Sequence, residues 1–549
     1  MFQKLKFLFH NILISRFPRI YELKLYLKYF FSFKKIFQKQ LNSKYNIDNI
    51  DEINDSIFIP LLETSHYQFH QILILAKSLK IRGAKVNVLV CDSFLGGCEL
   101  KSVKSENFKD VCSTCNFNQK HILDSYNLKF INYSSLFTKK ELIEIKNKAI
   151  KIYEKDDATF FYEKNNITNQ INDSITRYFY GGSARSNIER KNLYIEHLNT
   201  YITGFEASKK IKKTFNPNII LSSMAVYSMW SPFYDYFKKF KKVKCQTITL
   251  TQFNYNSVLF NVDDLYHSND RFLKFKQLVN GKLNSFEKEE IDSIINNRKT
   301  GNTDIFKDLK FFEKKSENLL KLLNIDSSKN NIFLFSNVFW DVGMVNYNSL
   351  FDSIVSWVLE TVLLVSKDPK SHLYIKIHPA EVFDSSKSVK GIKDFIFEKF
   401  PILPKNLTII YPEMKISPYE LFPFIDIGVV YNGTIGMEML YHGIPVISVG
   451  QCPYGNLNLS NDPTSRIQYS KMLKMKNIVN AKHNEVQLFA YFYFIKTCIP
   501  WNLTKSAYAN DFKGFTFDSL KDILPGKNKY LDHLSNCILK TEETIIEDW

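Results

Sequence analysis

YNGTIGMEMLYHGIPVISVG, residues 431–450, sets four glycines, a threonine, a glutamate and a histidine among apolar residues. The whole chain holds only 18 glycines in 549 positions, so four of them within twenty residues call for a reason. An apolar run, IGVV, leads into the stretch and a second, PVISV, closes it. The pattern predicts strand, turn, helix and strand, with Asn432-Gly433-Thr434 as the turn and Gly436 in the first helical turn. The N–H groups that open such a helix lack partners within it, and its dipole adds positive potential, so the position suits an anion. Glycines at 433 and 436 remove side chains that would block the approach. Thr434 can cap the helix and donate to a phosphate oxygen. Glu438, one turn further in, can accept two ribose hydroxyls. The alternative is a well-capped βαβ turn with no ligand.

A second strand end points to the same chemistry. In IKIHPAE, Lys376 and His378 close an apolar run and Pro379 fixes the exit of the chain. Lys376 is a point charge for phosphate, and His378 can hydrogen-bond a phosphate or a ribose. Ligands of open α/β sheets bind outside the carboxyl ends of the strands, where residues distant in sequence meet.

Strand–helix alternation extends outward from this pair of motifs. NIFLFSN (331–337), HLYIKIHP (372–379), NLTIIYP (406–412), IGVVYNG (427–433) and IPVISVG (444–450) read as buried strands, with a helix over 350–367. The first half shows the same alternation: SIFIPLLE (56–63), a helix ending at Gly83, KVNVLVCD (85–92), NPNIILSS (216–223) and KCQTITLT (244–251). Apolar strands separated by helices predict parallel sheets covered on both faces. The expected division is a basic amphipathic arm over 1–45, then a Rossmann-like domain over 46–270 with a helical insert at about 140–215. A helical connection follows over 271–325, a second Rossmann-like domain over 326–480, and C-terminal helices over 481–549.

Composition narrows the setting. The net charge is +17, and nine of the first forty residues are Lys or Arg against one acid, Glu22. Interleaved with Phe, Leu and Tyr, this arm reads either as a helix resting on an anionic membrane or as a helix packed on the protein with Lys outward. Charge gathered at one end, with no Gly/aromatic RNA-binding signature, leaves no nucleic-acid partner expected. Neither a signal peptide nor a run of about 18 apolar residues is visible, so the expected location is cytoplasmic and peripheral on the inner membrane face. Four of the eight cysteines, Cys91, Cys98, Cys112 and Cys115, fall within 25 residues. Four thiolates can hold a structural zinc ion or an iron–sulfur cluster, although this spacing is not that of a compact finger; the alternative is reduced cysteines without metal.

IKIHPAE followed by SPYELFPFIDIGVVYNGTIGMEMLYHGIPVISVGQCPYGN resembles the C-terminal half of the capsule-polysaccharide biosynthesis glycosyltransferases, GT-B enzymes that include the Kdo transferases of bacterial capsule assembly. FLFSNVFWD (333–341) is similar to that family's first C-domain strand, whose loop would carry Asn337 and Asp341 toward the cleft. The His-Pro motif also resembles that of bacterial sialyltransferases, where it meets a CMP nucleotide. The resemblance is clear over about 330–470 and vague over 55–260. It implies a GT-B-like α/β fold: two Rossmann-like parallel-sheet domains facing across a cleft, with helical extensions at both ends. A nucleotide-sugar donor, CMP-linked by analogy, would sit in the second domain on Lys376, His378, Asn432, Gly433, Thr434, Gly436 and Glu438. A glycan or glycolipid acceptor would sit in the first.

GT-B enzymes generally work without a bound divalent metal, so no cofactor is expected for catalysis. Helix ends and basic side chains would offset the leaving-group charge instead. Arg185, between small residues in YGGSARSN, is a further candidate, against the plain reading of an exposed arginine at a helix cap. A base for the acceptor hydroxyl would come from Glu63, His66 or Asp92 at the ends of the first two strands, with His70 one helical turn further on. Two other readings stand beside the transferase: a nucleotide-sugar 2-epimerase on the same double sheet, and a non-catalytic subunit of a capsule-assembly machine.

Overall fold

A computed structural model describes residues 53–63, 68–104, 111–113, 115–117, 119, 123–251, 257–262, 269–300, 319–341, 350–382, 387–475, 478–504 and 515–540. The basic arm and His66 lie outside these residues.

The first half builds strands β1 (Ser56–Leu61), β2 (Lys85–Val90), β3 (Lys129–Asn132), β4 (Ile219–Ser222), β5 (Lys244–Thr251) and β6 (Ser257–Val262). The second builds β7 (Asn330–Phe335), β8 (Ser371–Lys376), β9 (Leu407–Ile410), β10 (Ile427–Val430) and β11 (Val446–Ser448). In the second sheet the order is β9-β8-β7-β10-β11 and every pairing is parallel. In the first the order β3-β2-β1-β4-β5 is parallel too, and β6 then joins antiparallel. Counted within itself, each sheet runs 3-2-1-4-5, so each reverses direction once, between β1 and β4 and between β7 and β10. These are the two Rossmann-like units expected from the sequence, and the two switch points are where such sheets open a crevice.

Burial explains the strands. All six residues of β7 and of β8 are buried. Along β7, Ile332 and Leu334 join the core on one face and Phe333 and Phe335 the core on the other, as a two-faced sheet requires. In β1, Ile57, Ile59 and Leu61 pack toward helix α1 (Gln68–Ile81), while Phe58 packs on the opposite face.

Between β3 and β4 the chain inserts three helices: α2 (Lys139–Lys155), α3 (Thr168–Phe179) and α4 (Asn187–Phe215). Helix α5 (Tyr227–Phe237) follows β4. The connection contains α6 (Ser285–Thr300), and the second sheet carries α7 (Ile354–Ser366) and α8 (Thr434–Tyr441). Beyond α9 (His483–Tyr491) the chain is not only helical: Ile499–Pro500 pairs antiparallel with β6, at the edge of the first sheet. Helix α10 (Lys529–Lys540) then packs its apolar face into the core shared with α1.

Two glycines of the opening stretch have separate structural reasons. Gly433 has φ of +117°, a conformation L side chains avoid. Gly436 faces Tyr454: a Cβ there would lie 1.9 Å from the phenol oxygen. Gly436 therefore accommodates a neighbouring ring, and the expectation that it clears a path for an anion is corrected. Gly436→Ala should cost about 1–3 kcal/mol, as overpacking does. The loss should shrink when Tyr454→Phe removes that oxygen. Urea denaturation of the single and double variants measures this coupling.

Candidate functional site

Three adjacent strands of the second sheet end flush. Phe335 of β7 is level with Lys376 of β8 on one side and with Val430 of β10 on the other. Neighbouring strands lie about 4.8 Å apart, so β8 and β10 exit roughly 10 Å from each other. The loop leaving β7 stitches the two exits together. Ser336 Oγ accepts the His378 N–H at 3.0 Å, and Asn337 Nδ2 donates to the Asn432 carbonyl at 2.9 Å. Asn337 Oδ1 is buried without a partner. Beyond Asn432, whose Oδ1 accepts the Gly433 N–H at 2.6 Å, the chain enters α8.

Protonation at these ends follows from burial. Lys376 is 3% exposed, and burial draws its ammonium down to about 8. It is still largely charged at neutral pH. Burial, and then the Lys376 charge, hold His378 at about 4, so its imidazole is neutral. His378 Nδ1 accepts the Ala380 N–H at 3.1 Å, which leaves the ring proton on Nε2 as a donor.

Glu438 and Thr434 are arranged differently from expectation. Glu438 is 3% exposed, and Arg298 at the end of α6 donates to its Oε1 from Nε at 2.9 Å and from Nη2 at 2.7 Å. The Tyr419 hydroxyl donates to Oε2. Arg298 Nη2 also donates to Thr434 Oγ1 at 3.0 Å. Gly433, not Thr434, is the N-cap residue. The carboxylate read as a ribose acceptor thus holds an arginine that the sequence reading passed over. Removing either member of so buried a pair typically costs 3–5 kcal/mol.

The first sheet brings a different set together. Glu63 follows β1 and is buried, with its carboxyl pushed up to about 8 by burial and then by Glu99, against the opposing pull of Arg177. Glu99 is likewise raised to about 8, chiefly by burial. The Arg177 guanidinium lies 4.7 Å from the ring centre of Tyr180 and 4.8 Å from that of Trp340, five residues beyond β7. Tyr180 and Trp340 themselves meet at 4.3 Å, and the Tyr180 carbonyl accepts the Val389 N–H at 2.8 Å. The carboxyl ends of both sheets therefore look onto one seam. Asp341, exposed on that seam, lies within electrostatic reach of Asp173 and Tyr227 of the first unit.

Three other candidates lie in local roles. Asp92 accepts from the Ser134 N–H at 3.2 Å and from the Ser134 hydroxyl, which ties down the turn at 133–136. Arg185 is exposed, and its backbone N–H donates to Glu189 at 2.6 Å at the start of α4. His70 is buried against the Tyr126 hydroxyl at 3.3 Å. All eight cysteines are free thiols, and burial raises Cys91 to about 11 and Cys98 well above the usual range. Among the described residues no three His, Cys, Asp or Glu side chains are grouped to hold a metal ion. No described helix is long and apolar enough to cross a membrane.

No family model and no curated protein matches the chain. Among solved structures it is similar to a Thermosulfurimonas dismutans KpsC beta Kdo 2,4 transferase at 13% identity and TM-score 0.34, over 50% of this chain and 79% of that one. It is similar to a glycosyltransferase from Rickettsia africae ESF-5 at 13% identity and TM-score 0.25, over 89% and 100% of the two chains. A Methanocaldococcus jannaschii UDP-GlcNAc 2-epimerase aligns at 13% identity and TM-score 0.26, over 80% and 98%. Likenesses of this degree say nothing of what the present chain binds.

The buried carboxyl of Glu63 has a consequence for stability. Its pKa is higher folded than unfolded, so between about pH 4.5 and 8 the native state keeps a proton that the unfolded state has lost. Stability from this group therefore falls as pH rises through that window. Glu63→Gln removes the slope. Relative to the parent, the variant should gain more than about 1 kcal/mol between pH 5 and pH 8 in urea unfolding.

Proposed function

We propose that the protein is a glycosyltransferase of the GT-B type. It transfers a sugar from a nucleotide-activated donor, CMP-linked by analogy, to a glycan or glycolipid acceptor. The observation that carries this reading is the flush exit of β8, β7 and β10, which gathers Lys376, the Nε2–H of His378 and the N-terminus of α8 at one sheet edge. A cation, a neutral donor and a helix start are what a phosphate needs when no metal neutralises it. Glu438 then acts by holding Arg298 beside Thr434.

In the transfer, the bond between the anomeric carbon and the phosphate oxygen breaks with its electron pair on the phosphate. The acceptor oxygen bonds to that carbon, and its proton passes to a base. Glu63 is the candidate base: once ionised, a carboxylate titrating at about 8 has the proton affinity the step requires. The basic arm over 1–45 would rest on an anionic membrane surface and present the seam to a membrane-borne acceptor.

A thermal-shift panel of CMP, CDP, UDP and GDP compounds tests the site directly, since a ligand of the native state raises Tm by mass action. One base should stand out. His378→Ala should abolish that shift or lower turnover by roughly 100- to 1000-fold, while the unliganded protein loses only the cap on Ala380, about 1 kcal/mol of stability. An unchanged shift and rate would refute the assignment. Release of the epimer from the sugar nucleotide without acceptor would replace transfer by epimerisation.

Turnover should also follow a bell centred near pH 8: it rises as Glu63 ionises and falls as Lys376 loses its charge. In Glu63→Gln the rising limb should disappear along with most of the rate.

A further inference from the structure

Helix α3 carries Gln170, Asp173, Ser174 and Arg177 at spacings of three, four and seven, which places them on one helical face. Three of the four have partners. Gln170 Nε2 donates to Asp235 at 3.3 Å, Ser174 Oγ donates to Glu99 at 3.1 Å and accepts the Ser228 N–H at 2.9 Å, and Arg177 packs against both Tyr180 and Trp340. Asp173 differs. It is 2% exposed, and neither carboxyl oxygen has a hydrogen-bond partner. The nearby Glu99 Oε2 is also buried without one.

Charged groups of both units reach Asp173. Asp341 of the second unit acts electrostatically on it, and the Tyr227 hydroxyl lies within electrostatic reach of Asp173, Asp341, Arg177 and Glu99 together. Tyr227 opens α5 just past β4, at the switch point of the first sheet, and holds φ of +63°. That is an unusual conformation for so bulky a residue, and such strain gathers where ligands bind.

Buried polar atoms without partners cost stability and are seldom kept for nothing. The open positions, on Asp173 and on Glu99 Oε2, belong to carboxyls whose protons burial retains, so they can both donate and accept, and the missing partner must do both as well. A row of hydroxyls does so without adding charge. We infer that Asp173, flanked by Glu99, Arg177 and Tyr227, is the hydroxyl-binding residue of a saccharide subsite in the first unit. This rests on the transferase reading and deepens it by naming the residue that grips the acceptor.

The test pairs binding with stability. Full-length protein is examined by saturation-transfer difference NMR with a mixture of methyl glycosides of glucose, galactose, mannose, N-acetylglucosamine and glucuronic acid. It is then repeated with Asp173→Asn and Asp173→Ala. At least one glycoside should show transfer in the parent protein, and both variants should lose it at least fivefold. The nucleotide-induced thermal shift should be unaltered, and the unliganded Tm of Asp173→Asn should equal or exceed that of the parent. A structural aspartate would instead lower Tm when replaced. No glycoside signal in the parent protein, an undiminished signal in both variants, or a lowered Tm for Asp173→Asn would each overturn the assignment. Loss of the nucleotide response with glycoside binding intact would sink the donor site alone and leave this subsite standing.

Discussion

The geometry of the site depends on one guanidinium packed against a pair of touching rings. Arg177 comes from the insert in the first unit, Trp340 from the loop beyond the central strand of the second, and Tyr180 closes the contact. Planar guanidinium on aromatic faces contributes on the order of 0.5–2 kcal/mol, more when desolvated. The same charge is the counter-ion for Glu63 and Glu99, which burial would otherwise leave protonated to a still higher pH. One side chain thus joins the two units at this point and moderates the upward shift that burial imposes on the two carboxyls.

Each half contributes a different chemistry to the seam. The second sheet ends in donors: a buried ammonium, an imidazole N–H and the opening amides of α8. The first offers carboxyls that burial keeps protonated, able both to donate and to accept, among them the two oxygens of Asp173 without partners. Donors suit a phosphate, and groups that both donate and accept suit hydroxyls.

Much of the fold was legible in the sequence because buried parallel strands are continuous apolar runs, as in NIFLFSN and IGVV, and their spacing leaves room for helices between them. Strand β3, KFIN, escaped because it is an edge strand with three of its four residues exposed and the fourth half-exposed, in a polar context. The return of Ile499–Pro500 to the first sheet is a long-range pairing with no local mark. Lys376 and His378 were legible because strand-end motifs are local. Arg298 was not: in SFEKEEIDSIINNRKT it reads as one more charge on a solvated helix, and its partner Glu438 lies 140 residues on. Asp173 had a signal that went unread. Polar residues at 170, 173, 174 and 177 line one face while Ile171, Ile175 and Phe179 are also buried, so α3 is enclosed on more than its apolar side. Gly436 shows the converse error, since a glycine at a helix start invites a ligand explanation even when a tyrosine ring fills the space.

The claim that the edge of the second sheet is a nucleotide site is most directly tested by a crystal structure grown with the nucleotide that most raises Tm. The account predicts density for its phosphate within hydrogen-bond distance of His378 Nε2 and of the opening amides of α8, with Arg298 still on Glu438. Nucleotide density away from the exits of β8 and β10, with His378 making no contact to it, would contradict the account.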